Sequence, residues 1–265
     1  MELRARALQV LCMPDPGSKA AAARELASCA ASLAIAPAAP APTLPVPGRP
    51  ARPELIHPAR VARRSPSKPE GLAALLHAIA HIEFNAINLA LDAAWRFDGM
   101  PPEFYLAWTQ VAGEEAYHFT LLREHLSSLG YAYGDFAAHD GLWAMCEKTK
   151  DDIVARMALV PRTLEARGLD ATPQIQDKLR QVNTAASMRA VAILDVILHD
   201  EVGHVAIGNH WYKWLCDREG LDPVALYPQL AEQYAAPKLH PPFNEEARRR
   251  AGFSDDEIAW LSSTG

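Results

Sequence analysis

Long apolar stripes at helical spacing, each interrupted by a glutamate, limit this chain more than any other feature. Over residues 70–97, Leu72, Leu75, Leu76, Ile79, Ala86, Ala90 and Ala93 fall on one face of a helix, and Glu83 falls among them. Over 102–128 the stripe is Phe104, Trp108, Val111, Leu122 and Leu129, with Glu115, His118 and His125 in phase. Over 186–218 it is Ala190, Leu194, Ile197, Gly208, Trp211 and Leu215, with Glu201 and His204 in phase. A carboxylate buried without compensation costs several kcal/mol, so each of these glutamates needs a partner.

A further helix is expected over 141–167, ending at Gly168 and kinked at Pro161, which removes a backbone donor. Glu165 lies four residues past that proline, on the face of Ile153 and Met157. The polar residues of the stripes then read Glu83, Glu115-x-x-His118, Glu165, Glu201-x-x-His204. Each Glu-x-x-His puts both side chains on one helix face about a turn apart, close enough to grip one metal ion. The order single, pair, single, pair implies two helical hairpins related by an approximate twofold. Such a set matches a carboxylate-bridged dimetal site in a four-helix bundle. Oxygen ligands with one imidazole per metal suit iron, with manganese or a mixed Fe/Mn pair as alternatives.

A lone Glu-x-x-His arises often by chance, and the chain supplies its own control. Glu54-x-x-His57 lies in a proline-rich segment and faces no stripe, so it is set aside. Glu114 and Asp200 each precede a ligand glutamate and swing toward a neighbouring helix. There each is placed to accept the outer N–H of a ligand histidine and fix its tautomer. His77, His81, His125 and His199 are reserve ligands only.

The remainder completes an all-α reading. Short helices are expected over 2–12 and 18–33, parted by Pro14-Asp15-Pro16-Gly17, over 173–184, either alone or joined to the long helix over 186–218, and over 223–235, 244–251 and 254–262. From Ala36 to Pro69 proline is too dense for a helix. With Arg49, Arg52, Arg60, Arg63, Arg64 and Lys68 this segment reads as a solvated basic arm that packs by its prolines. No strand-like alternation occurs. The expected division is 1–69 (helices and arm), 70–219 (four-helix bundle with the dimetal site) and 220–265 (C-terminal helical extension).

Composition narrows the function classes. A net charge of −6 argues against a general nucleic-acid surface. Cys12, Cys29, Cys146 and Cys216 form no Cys-x-x-Cys pair and read as reduced thiols. No proline-free run of about 18 uncharged apolar residues suggests a membrane span, and the Ala-rich stretch 20–41 lacks the form of a signal peptide. Cytoplasm is the expected compartment.

The runs His77-Ala-Ile-Ala-His-Ile-Glu-Phe-Asn-Ala-Ile, Glu114-Glu-Ala-Tyr-His-Phe, Tyr133-Gly-Asp-Phe-Ala-Ala-His-Asp-Gly-Leu-Trp, Val160-Pro-Arg-Thr-Leu-Glu-Ala-Arg-Gly-Leu-Asp and Asp200-Glu-Val-Gly-His-Val resemble a bacterial ferritin-like family of unknown function. The likeness continues to Pro242-Phe-Asn-Glu-Glu-Ala-Arg and covers nearly the whole chain. Around residues 70–215 the ligand spacing is also similar to that of the tRNA-(2-methylthio-isopentenyladenosine) hydroxylase, a di-iron monooxygenase. In the radical subunit of ribonucleotide reductase a tyrosine stands one turn beyond the first motif histidine; here Leu122 stands there, which disfavours tyrosyl-radical storage.

These resemblances imply a ferritin-like dimetal oxidoreductase that activates O2 to hydroxylate or oxidise a small organic substrate, with a modified tRNA left open as substrate. The sequence carries no flavin or nicotinamide fingerprint, so electrons are expected from an external donor. The alternatives are ferritin-like metal storage or peroxide detoxification, and a metal-free helical interaction module. Oligomeric state is left open.

Overall fold

The computed structural model describes residues 2–62 and 64–264, so Arg63 of the basic arm lies outside the described residues. It is all-helical: no strand forms among the described residues, where the extended pairing is limited to the isolated bridges Glu2–Ala34 and Leu55–Ala138. The chain divides into two compact units, Met1–Trp143 with Leu179–Ile193, and Ala144–Lys178 with Leu194–Gly265.

The first unit begins with α1 (Leu3–Leu11), whose N-terminal amides at Arg4 and Ala5 are capped by the Glu2 carboxylate. Helix α2 (Pro16–Cys29) starts inside the expected turn, because Asp15 accepts from Ser18 N at 2.8 Å and Pro16 fits the first helical position. The two main helices are α3 (Pro69–Arg96) and α4 (Pro102–Ser128). They are joined by a short turn and pack along one another. α2 packs closely on α4 at Gly113, where an added Cβ would come within 2.5 Å of the Ala27 Cβ. α4 ends as its glycine signal indicates: Gly130 has φ +82, and Tyr131 N donates to Leu126 O.

Helix α3 is long and apolar enough to cross a membrane by length and composition, but 78% of its apolar window is buried inside the protein. Its apolar surface is therefore covered by protein, as in a core helix.

The proline-rich arm lies on this unit, held by buried charges. Arg4, fully buried, donates to the carbonyls of Ala36 and Pro37 and to Trp95 O, and pairs with Asp98. Lys19 Nζ donates to Gly48 O at 2.8 Å, and Trp95 Nε1 donates to Pro40 O. Arg49 pairs with Asp140 at 2.6 Å, and Arg64 with Glu70 at 3.4 Å.

The second unit corrects the single helix expected over 141–167. The chain forms α5 (Gly141–Lys148), breaks, and restarts as α6 (Ile153–Leu159) with Asp152 capping Ala155 N. Buried Arg156 closes the break by donating to Thr149 Oγ1 and Cys146 O. Val160–Glu165 is a π-turn, the form taken by the kink expected at Pro161. Helix α7 (Ala166–Val182) then runs through Gly168 and Pro173, so the expected stop at Gly168 and the separate helix over 173–184 give way to one helix. Ala166 and Leu169 lie in the apolar cluster of this unit, and Asp170 pairs with fully buried Arg248 at 2.6 Å. Burying this turn outweighs the roughly 1 kcal/mol helix cost of a glycine. Pro173 cannot donate to Leu169 O, and Asn244 Nδ2 does so instead at 3.2 Å.

Helix α8 (Ala185–Glu219) contributes residues to both units. The second unit closes with α9 (Pro223–Gln233), α10 (Glu245–Arg250) and α11 (Asp255–Thr264). The cluster that packs them includes Val202, Val205, Ala247, Ala251, Phe253, Ile258 and Leu261.

Candidate functional site

Within the first unit, α3 and α4 bring three of the expected ligands together. Glu83, Glu115 and His118 are 3%, 0% and 0% exposed. Each offers one ligand atom, and these atoms lie within 4.8 Å of one another. His118 Nδ1 is 3.2 Å from Glu83 Oε2 and 3.5 Å from Glu115 Oε2. The helical pattern accounts for this: Glu115 and His118 are one turn apart on α4, and Glu83 sits on the partner helix of the same hairpin.

The electrostatics match that geometry. Burial pushes the Glu83 carboxyl well above the usual carboxylate range and the charge of Glu115 adds to it, against the opposing pull of His118. For His118, burial opposes the imidazolium, but hydrogen bonds and charges from Glu115 and Glu83 outweigh it and raise its pKa. Two carboxylates and an imidazole held together in an apolar interior form a donor set that could hold a metal ion. Phe84 and Phe119, each adjacent in sequence to one of these residues, are buried with ring centroids 5.5 Å apart.

Within the second unit, Glu201 and His204 lie one turn apart on α8 and are buried, with His204 Nδ1 4.0 Å from Glu201 Oε1. Glu165 closes the π-turn and is 7% exposed. Among the described residues it joins no group of three ligand atoms within the same 4.8 Å limit.

The supporting acids are half-buried. Glu114 accepts from Gln110 Nε2 on its own helix at 2.9 Å, and Asp200 lies beside Glu201 on α8. Three reserve histidines have other partners. His77 Nε2 accepts from Gly134 N at 2.9 Å, His81 Nδ1 is 2.8 Å from the Tyr133 hydroxyl, and His125 Nε2 is 2.9 Å from Ala186 O. His199 is exposed, as are Glu54 and His57. The four cysteines are free thiols.

The sequence reading passed over Arg162, Asn209 and Glu257, which form a buried polar group in the second unit. The available signal was a charge inside the apolar run Ala158–Leu164. A shallow solvent-open cleft lies there, lined by Arg162, Tyr227, Leu239, Phe253, Glu257 and Trp260 among others; it includes none of the six expected ligands.

A family model described as a protein of unknown function (DUF455) matches residues 12–259. An uncharacterized protein of Haemophilus influenzae is 52% identical over 219 residues, which cover 80% of this chain and 75% of that protein. No solved structure matches the chain.

Proposed function

The chain belongs to the DUF455 family, and from the donor set of its own residues we propose that it is a ferritin-like dimetal-carboxylate oxidoreductase. The observation that carries this reading is the buried triad Glu83, Glu115 and His118, whose ligand atoms lie within 4.8 Å of one another. The second Glu-x-x-His pair, Glu201 and His204, is buried likewise and repeats the pattern. Glu83, Glu115, His118, Glu165, Glu201 and His204 would hold two metal ions, iron first, with manganese or a mixed pair as alternatives. When bound, such a pair supplies the electrons that O2 activation needs, for hydroxylation or oxidation of a small organic substrate.

The protein's own part is to bind, orient and exclude water. The glutamates supply hard oxygen donors, and each histidine supplies one nitrogen. Burial of Glu83, Glu115 and His118 in the apolar interior keeps bulk water from the group. Reducing equivalents come from a separate donor, and the cytoplasm is the compartment that fits free thiols.

One observation favours a metal-free reading: His118 as an imidazolium would be satisfied by its two carboxylates, with no ion needed. Metal analysis of protein grown with ample iron and manganese, and purified without chelator, separates the two. The expected result is two ions per chain, about 3–4 Å apart by X-ray absorption. Metal content near zero would sink the dimetal reading and leave the imidazolium network. A large mineral-filled cage would move the reading to metal storage.

A further inference from the structure

The π-turn Val160–Glu165 is fixed residue by residue to three different helices of its own unit. Pro161 packs on α8 at Gly208, where an added Cβ would lie 2.6 Å from the Pro161 Cβ. Arg162, 3% exposed, donates Nε–H to Asn209 Oδ1 at 2.7 Å and pairs with Glu257 of α11. Its guanidinium also lies 5.0, 4.9 and 4.9 Å from the ring centroids of Tyr212, Tyr227 and Phe253. Thr163 Oγ1 is 2.9 Å from the hydroxyl of Tyr227 on α9. Glu257 is itself held by Ser254 N at 2.7 Å and by Lys213 Nζ at 3.4 Å.

A π-turn holds one more residue per turn than an α-helix and is rare unless its surroundings impose it. At 3.6 residues per turn, one extra residue rotates everything after it by about 100° around the helix axis. The turn therefore decides which face Glu165, its last residue, occupies.

We propose that Arg162, anchored by Glu257 of the C-terminal helix, is a positioning residue for the Glu165 carboxylate, so that the C-terminal extension sets the geometry of a metal ligand it does not itself supply. This inference rests on the reading of Glu165 as a ligand. Arg162 suits the task because its rigid planar fork engages Asn209 and Glu257 through two separate nitrogens in a fixed geometry that the single ammonium of a lysine does not reproduce.

The test is Mn(II) titration of the full chain, followed by electron paramagnetic resonance. The variants are Glu165→Ala, Glu257→Ala, Glu257→Gln, Arg162→Lys and Leu261→Ala. Glu257→Ala and Arg162→Lys should weaken the same metal that Glu165→Ala weakens, by about tenfold or more, and shift its spectrum toward that of Glu165→Ala. Glu257→Gln keeps an acceptor for Arg162 and should recover most of the affinity. Leu261→Ala loosens the apolar packing of α11 without removing the pair, so it should lower the melting temperature and leave affinity and spectrum unchanged. If Glu257→Ala fails to fold, Arg162→Lys and Glu257→Gln carry the comparison.

Wild-type affinity and spectrum in Arg162→Lys, or in a folded Glu257→Ala, would overturn the positioning role, as would a Leu261→Ala that reproduces the loss. A wild type that binds no Mn(II), or a Glu165→Ala that binds it unchanged, would instead overturn the ligand reading and this inference with it.

Discussion

At His118 two buried acids compete for one imidazole, since its Nδ1 lies 3.2 Å from Glu83 and 3.5 Å from Glu115. With both acids ionised and the ring protonated, the group still carries one net negative charge in a dry interior. A proton on Glu83 relieves that excess, which agrees with its raised pKa; a divalent cation in place of the imidazolium proton would relieve it as well. Ligand histidines depend on an acceptor for their outer N–H, and Asp200, half-buried beside Glu201, is proposed as one such acceptor. Asp200→Ala is expected to weaken metal binding by roughly 10–100-fold with the melting temperature of the metal-free protein unchanged, as read by Fe(II) titration and calorimetry. An unchanged affinity would assign Asp200 to the solvated face of α8. Burial at this scale was legible in the sequence: Glu83, Glu115, His118, Glu201 and His204 fall in phase with apolar stripes and are at most 8% exposed. The decoy pair Glu54 and His57, out of phase with any stripe, is exposed in the arm. The partners of His77 and His81 were not legible, because Gly134 and Tyr133 come from a loop more than 50 residues away whose path no periodicity records.

Among the elements, the long stripes of α3, α4 and α8 forecast their helices to within a few residues, and the segment between α4 and α8 did not yield to the same reading. Its breaks and continuations are set by tertiary contacts. Asp152 and Arg156 close a break that has no glycine, while Gly168 and Pro173, both breakers by rule, lie inside α7. At Pro173 the lost backbone bond is replaced by Asn244, which lies 71 residues further along the chain and is invisible to a local pattern. Two glycines of this unit should therefore respond in opposite ways to alanine. Gly168 has nothing within 4 Å of an added Cβ and helical neighbours on both sides. Gly168→Ala is expected to stabilise the protein by about 0.5–1 kcal/mol, through the lower entropy of the unfolded chain. At Gly208 the added methyl would overlap Pro161, so Gly208→Ala must push the π-turn away from α8 and should destabilise by roughly 1–3 kcal/mol. Urea unfolding of both variants checks the pair, and a stabilised Gly208→Ala would mean that Pro161 does not pack there in solution.

At the scale of the whole molecule, the proposed metals bind into the same protonation equilibria that govern stability, and the sign of the effect can be worked out. Glu83 and His118 both have pKa values raised on folding, Glu83 chiefly by burial and His118 by its two carboxylates acting against burial. A raised pKa means that the native state holds the proton more tightly than the unfolded chain. The resulting stabilisation is full below the unfolded values, about 4.3 for glutamate and 6.5 for histidine, and is lost as pH rises through the folded ones. Metal-free protein should therefore lose stability from mild acid through neutrality into alkali. Metal ions take the place of those protons, so they should matter least in acid and most above neutrality. At a free metal concentration of about 100 times the dissociation constant, binding adds roughly 2.7 kcal/mol. For a chain of this size that is a rise of about 5–10 °C in melting temperature. The gap between metal-loaded and chelator-treated wild type is thus expected to widen between about pH 5.5 and pH 7.5. Glu115→Ala removes one carboxylate from the buried triad and should abolish most of the gap, whereas Glu54→Ala, in the exposed arm, should leave it intact. Thermal melts of wild type and both variants, with and without Fe(II) or Mn(II) at each pH, make the comparison. If wild type and Glu115→Ala gain equally from metal, the ions bind elsewhere and the buried glutamates of α3 and α4 serve the core alone.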